Sequence, residues 1–314
     1  MRKNFAFFLI ITLIAACSSG FHIPDPVPGG NGKNNTEPSG QTTPEDDKKP
    51  ESGLVADGDD AHTYELILSK GYNYETPDHS GAHANEPFRH IRQSYDKSLG
   101  KYVFDFYLHI ENDDDRGKAE VTDRQRNEIK TDAHSPDSLV AQYGETLKMT
   151  WKFCLPAGMK TTNKFAHIHQ LKGIDNKEGT ADVALPGITF TCRSLSNGKQ
   201  QLQVICTDSA VESDGHQTYL ARADLADFLG EWVSVTETVL FADDGDYSVV
   251  INRIRDGKQL VKVEHAKIDT WRKDCSGMRP KWGLYRNFGE KRSMASQLRD
   301  EILKFADFDI RKLK

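Results

Sequence analysis

From His62 onward the chain alternates apolar and polar side chains in short runs, and nowhere does it sustain the apolar repeat of a long amphipathic helix. Successive side chains of an extended segment point to opposite faces, so runs of this kind become half-buried strands. In Lys101–Glu111, Tyr102, Phe104, Phe106 and Leu108 alternate with Val103, Asp105, Tyr107 and His109. Thr146–Leu155 carries Trp151 and Phe153 on one face, and Phe88–Tyr95 and Phe165–Lys172 read the same way. Ile188–Arg193 and Gln201–Thr207 flank a hairpin turn at Ser196-Asn197-Gly198-Lys199. Further strands are expected over Trp232–Phe241, Tyr247–Asp256, Leu260–His265 and Lys281–Asn287, and in a closing run from Ile302 to Ile310. Tyr64, Leu66 and Leu68 read as a first strand, and helical turns are expected at Ala223–Leu229 and around Met294–Arg299. The rhythm predicts an all-β chain folded as a two-sheet sandwich with few short helices.

The first residues belong to a different physical regime. Met1-Arg2-Lys3, the apolar run from Phe5 to Ile14 and small residues at Ala15-Ala16 form an export signal too short to span a membrane comfortably. Leu13-Ile14-Ala15-Ala16-Cys17 resembles a bacterial lipobox, which implies lipidation at Cys17 after residues 1–17 have directed export. Residues 18–58 are rich in Gly, Pro, Ser, Asn, Asp and Lys and read as a flexible tether. Residues 59–314 then form the folded domain, held at the bacterial outer membrane on its periplasmic or cell-surface side.

The formal net charge of −6 includes the acidic tether, so it says little about the surface of the folded part and gives no support for nucleic acid as the partner. Export permits disulfides among Cys154, Cys192, Cys206 and Cys275. Cys192 and Cys206, flanking the hairpin, could face each other across two strands or remain buried thiols. Asn112-Asp113-Asp114-Asp115 reads as a solvated turn, with a structural calcium ion as the alternative; no cofactor is otherwise required.

Three segments carry the chemistry. In Asp123–Lys130, an extended backbone puts Arg124, Arg126, Glu128 and Lys130 on one face, a row that cannot build a core. In Phe165–Lys172, His167 and His169 are expected on one face, with Gln170 and Lys172 on lines alternating from them. A His-x-His pair suits either a metal site completed from elsewhere or proton transfer to a polar substrate. In Lys281–Asn287, Lys281, Gly283 and Tyr285 share a face, with Gly283 expected to leave an open floor for a ligand.

Arg126-Asn127-Glu128-Ile129-Lys130 resembles the Arg-x-Glu-x-basic strand of β-jelly-roll alginate lyases, and Lys281-Trp282-Gly283-Leu284-Tyr285 resembles their Lys-x-Gly-x-Tyr strand. His167–Lys172 is similar to the His-x-His-Gln-x-Lys stretch of glucuronan lyases, which share the jelly roll with heparin lyase I. The three motifs fall in the family's order. Two departures stand out: His-x-His-Gln replaces the alginate-lyase Gln-x-His, and Arg286-Asn287 follows Tyr285 in place of Asn-Gln.

The resemblance implies a monomeric polysaccharide lyase that cleaves an anionic uronate polymer, glucuronan-type or glycosaminoglycan, by β-elimination. Such a reaction removes the C5 proton beside a carboxylate that must first be neutralised. Arg126, helped by Gln170 and a histidine, is expected in that role, because a guanidinium fork matches a carboxylate. Tyr285 is expected as acid and His169 or His167 as base, with Lys281, Arg286 and Arg126 lowering the phenol's pKa. Glu128 would orient Arg126, while Arg124, Lys130 and Lys172 would line subsites. The competing class is a non-catalytic carbohydrate-binding lipoprotein of the same fold, which has no need of Tyr285 beside a histidine. A laminarinase-type hydrolase would need a strand of paired carboxylates that the sequence lacks.

Overall fold

In the segment Thr146–Cys154, burial alternates residue by residue, with Leu147, Met149, Trp151 and Phe153 inward. Repeated along the chain, this period of two gives every strand one face for the core. In the computed structural model, residues 53–79, 87–209 and 215–313 are described. The export signal, Cys17 and residues 18–52 of the expected tether lie outside them.

Among the described residues, fourteen strands form two antiparallel seven-stranded sheets. The first runs, in spatial order, Asn73–Glu75 (β1), Arg124–Lys130 (β4), Gly277–Asn287 (β13), Ala166–Ile174 (β6), Ile188–Ser194 (β7), Gln200–Thr207 (β8) and Gln217–Asp224 (β9). The second runs Gln259–Ile268 (β12), Gly245–Arg253 (β11), Trp232–Leu240 (β10), Thr146–Cys154 (β5), Glu301–Leu313 (β14), Lys101–Leu108 (β3) and Ile91–Asp96 (β2). Their inner faces meet in an aromatic core in which Trp151 lies 5.8 Å from Trp282 and Phe106 lies 4.9 Å from Phe305. The all-β sandwich read from the strand rhythm is the fold observed, and among the described residues the connections include short 3₁₀ turns such as Leu225–Asp227 and Ala295–Gln297.

Three local expectations change, and the open alternative for Cys192 and Cys206 is decided. Thr63–Ser69 is a helix, α1, because its inward residues Thr63, Tyr64 and Ile67 follow a helical spacing while Leu68 is left 49% exposed. The folded part reaches back before residue 59, since fully buried Leu54 pairs with Phe308 of β14. Cys192 and Cys206 remain thiols, and the register explains it: Cys192 lies opposite Leu202 and Cys206 opposite Ile188, at opposite ends of the β7–β8 hairpin. The acidic turn is buried rather than solvated, and Asp113, Asp114 and Asp115 diverge. Asp113 faces His90, Asp114 accepts from the Gly117 amide, and Asp115 accepts from Arg126. An oxygen cage for calcium needs such carboxylates to converge.

Candidate active site

The three charged segments are neighbours in the first sheet: β13 lies between β4 and β6. Register places Tyr285 opposite Arg126 on one side and opposite His167 on the other, while Lys281 lies opposite Lys130 and Gln170. Alternation then sorts β4, with Gln125, Asn127 and Ile129 inward and Arg124, Arg126, Glu128 and Lys130 on the outer face.

On the β4 side of that outer face, charges pair almost completely. The Arg126 guanidinium donates to Glu75 at 3.0 Å, to Glu128 at 2.9 Å and to Asp115 at 2.8 Å. Lys281 Nζ donates to the same Glu75 and Glu128 at 2.7 and 2.6 Å, and Lys130 reaches Glu75 at 3.1 Å. Gln170 closes the layer by donating to the other oxygen of Glu128. Burial opposes the charge on Arg126, but Glu128, Glu75 and Asp115 raise its pKa; the same cations hold Glu75 well below the usual carboxylate range against burial. Arg126, Glu128, Gln170 and Lys281 are all buried in this layer. Glu75, from a strand three residues long, and Asp115, from the acidic turn, supply two of its three anions. Beside it opens a cavity of about 330 Å³ lined by Tyr74, His79, Arg116, Lys118 and Lys130.

Gly283 has φ +143, and a Cβ there would stand 2.1 Å from the Asn127 carbonyl oxygen. Its glycine therefore serves the close approach of β4 to β13, and the floor it was expected to open is filled by backbone.

Tyr285 sits at the edge of the paired layer. Arg126 lies under its ring, 3.7 Å from the centroid, and Arg124 Nη1 donates to its phenolic oxygen at 2.9 Å. Burial pushes the phenol's pKa up, and Arg126 and Arg124 only partly pull it back. The expectation that cations would bring it down is reversed, so Tyr285 holds its proton at neutral pH. With the guanidinium donating to the oxygen, the phenol's own hydrogen is left to point elsewhere.

The two histidines do not share a face. A register shift between His167 and His169 against β7, matched by one in β13 between Trp282 and Tyr285, turns both Ile168 and His169 inward. His169 stacks on Trp282, and its ring nitrogens face the Lys281 carbonyl at 2.9 Å and Glu237 of β10 at 3.0 Å. It ties the two sheets together. Gln170 is returned to the outer face by the same bulge. Arg286 also points inward, donating to Gln125 at 2.7 Å, and burial pushes its pKa down to about 10.

His167 remains on the outer face, its ring centroid 6.1 Å from that of Tyr285 and stacked on Phe165. Nδ1 lies 2.8 Å from Thr191 Oγ1. Burial and the charges of Arg193, Arg126, Lys281 and Lys172 push its pKa down to about 3, which keeps the imidazole neutral. Lys172, on the same face, is pushed down to about 8 by burial and by Lys281 and Arg126. Arg193 reaches Tyr219 Oη at 3.4 Å, and Arg222 stacks over that ring at 4.0 Å. Motif reading missed these three because β7 to β9 present them singly among Thr and Gln residues.

A neutral imidazole, a protonated phenol and a guanidinium on the phenol oxygen thus converge on one face. Such a set can accept a proton from carbon on one side and deliver one to oxygen on the other.

No protein-family model matches this sequence, and neither does any curated protein. Among solved structures, the marine alginate lyase from Aplysia kurodai superposes with a TM-score of 0.51 at 12% identity, covering 83% of this chain and 98% of its own. The alginate lyase AlyC3 gives 0.50 at 13% identity over 83% and 97%. An endo-β-1,4-glucuronan lyase from Trichoderma reesei gives 0.48 at 14% identity over 76% and 94%. The chain has the two-sheet β-jelly-roll fold of these polysaccharide lyases.

Proposed function

We propose that this protein is a polysaccharide lyase that cleaves a uronate-containing polymer by β-elimination. The observation that carries the reading is the pair His167 and Tyr285, their rings 6.1 Å apart beside Arg124, in surroundings that favour a neutral imidazole and a protonated phenol. His167 removes the C5 proton of the uronate, the C4–O4 bond breaks as the C4–C5 double bond forms, and Tyr285 gives its proton to O4. Arg124 on the phenol oxygen and Arg126 against the ring then stabilise the transient phenolate.

Burial and then four cations depress His167, and a bound uronate carboxylate offsets the cations' share. Substrate binding therefore raises the basicity that the step requires, and simultaneously neutralises the carboxylate beside C5. Arg126 acts through its field and through Tyr285, since its hydrogen bonds go to Glu75, Glu128 and Asp115. Gln170, bonded to Glu128, orients that layer. Lys130, Lys172 and Arg124 line the path of the polymer. Export and anchoring at Cys17 complete the proposal; Cys17→Ala would release the protein from the membrane fraction.

Ultraviolet absorbance during incubation with glucuronan, alginate, hyaluronan, chondroitin sulfates and heparin tests the reaction directly. A rise on one polymer identifies elimination, and Tyr285→Phe should lower kcat by roughly 10²–10⁴ while binding persists. New reducing ends without absorbance would instead mean hydrolysis. Binding without either product would leave a glycan-capture protein.

A further inference from the structure

His90 ends the segment before β2, His109 follows β3, and Asp113 lies in the buried turn between β3 and β4. The fold brings them to the seam between the two sheets. His90 and Asp113 are almost wholly buried, whereas the His109 side chain is 34% exposed. His90 Nε2 lies 3.0 Å from Asp113 Oδ1, and His109 Nδ1 lies 3.2 Å from Asp113 Oδ2. One donor atom from each residue falls within 4.8 Å of the others.

The other side of His90 is also occupied. Its Nδ1 lies 3.0 Å from Asp78 Oδ1, and Tyr64 Oη donates to both oxygens of that carboxylate at 2.8 and 2.9 Å. Both ring nitrogens of His90 thus face carboxylates, so a cation has to stand between Nε2 and Asp113, either a second ring proton or a metal ion. A proton would serve only that pair. A metal ion would serve His90, Asp113 and His109 together.

We infer that His90, His109 and Asp113 bind one divalent transition-metal ion of the zinc type. Two imidazoles and one carboxylate are a zinc donor set, with the partly exposed His109 side giving an entry path and a fourth position for water. Bonds of about 2.0–2.1 Å to nitrogen put tetrahedral ligands about 3.3 Å apart, close to the 3.0 and 3.2 Å that separate the Asp113 oxygens from the two rings. Asp78 takes the outer position of a carboxylate–histidine–metal relay. His167 and His169, by contrast, point to opposite faces of the first sheet and cannot share an ion.

The ion would fasten the loop on which Arg126 depends. Gln125 and Asn127, the inward residues of β4, already hold the carbonyls of His109 and His90 at 2.9 and 2.7 Å. Beyond Asp113, Asp114 accepts the Arg126 amide at 3.0 Å through its carbonyl, and Asp115 accepts the Arg126 side chain.

The test uses the full chain without an affinity tag, stripped with a chelator and titrated with Zn²⁺ by calorimetry and with Co²⁺ by visible absorption. Saturable uptake of one ion per chain, a tetrahedral Co²⁺ spectrum and a raised unfolding midpoint are expected. His109→Gln, at the exposed position and so the variant least able to disturb folding, should abolish all three. Asp78→Asn should keep the stoichiometry and weaken affinity by about 10–100-fold. Absence of saturable uptake by the parent protein overturns the inference, and so does parental uptake by both His109→Gln and Asp113→Asn. None of these readouts uses lyase activity, so the two readings fail separately.

Discussion

The two halves of the outer face handle charge in opposite ways. Over β1, β4 and β13, Arg126, Lys281 and Lys130 meet Glu75, Glu128 and Asp115 in a layer that closes on itself. Over β6 to β9, Lys172, Arg193 and Arg222 lie among Thr and Gln side chains, and no carboxylate pairs with them among the described residues. A paired layer fixes geometry, although beside burial its Lys281 and Arg126 still depress Lys172 and His167. An unpaired row leaves potential for a polyanion, and its Arg193 and Lys172 add to the burial that depresses His167 until one arrives. Tyr285 and His167 stand on the border between the two.

The largest break in this contrast should come from Glu128→Ala. Removing it strands Lys281 and Arg126 as buried cations, and a loss of about 3–5 kcal/mol is expected in denaturant unfolding. Full stability in that variant would mean the layer is not an interdependent network. Arg193→Ala, on the other half, should leave unfolding nearly unchanged while KM rises roughly tenfold, with a flatter dependence on salt. An unchanged KM would remove Arg193 from the polymer's path.

The smallest effect follows proton release at Lys172, at about pH 8 in the fold against 10.5 for the free group. Between those values the unfolded state binds the extra proton, so stability should rise with pH. Over the same range the cleft loses a cation and substrate affinity should fall. Lys172→Arg keeps its charge and should remove both trends; if KM still climbs above pH 8, another group is titrating.

Sequence alone carried the strand rhythm, and with it the sandwich. It also placed the charged faces of β4 and β13 correctly, because those strands alternate without interruption opposite each other. Where alternation breaks, local pattern misleads. A single extra residue at Ile168 separates His167 from His169, and nothing in Phe165–Lys172 announces a bulge. α1 was hidden because Tyr64, Leu66 and Leu68 mimic strand spacing while its buried face uses Thr63, Tyr64 and Ile67. Glu75 and Asp115 were illegible for a different reason. Their roles exist only through tertiary pairing, Glu75 with Arg126 and Lys281 and Asp115 with Arg126, in segments that otherwise read as loops.

The pairing of Leu54 with Phe308 has a mechanical consequence. β14 lies inside the second sheet between β5 and β3, and Leu54 pairs with it beyond the last residue matched to β3. A pull transmitted along the chain from before Leu54 therefore enters the sheet in its middle, where strands on both sides share the load. Had the domain been fastened through an edge strand such as β2 or β12, the same force could peel it open one hydrogen bond at a time.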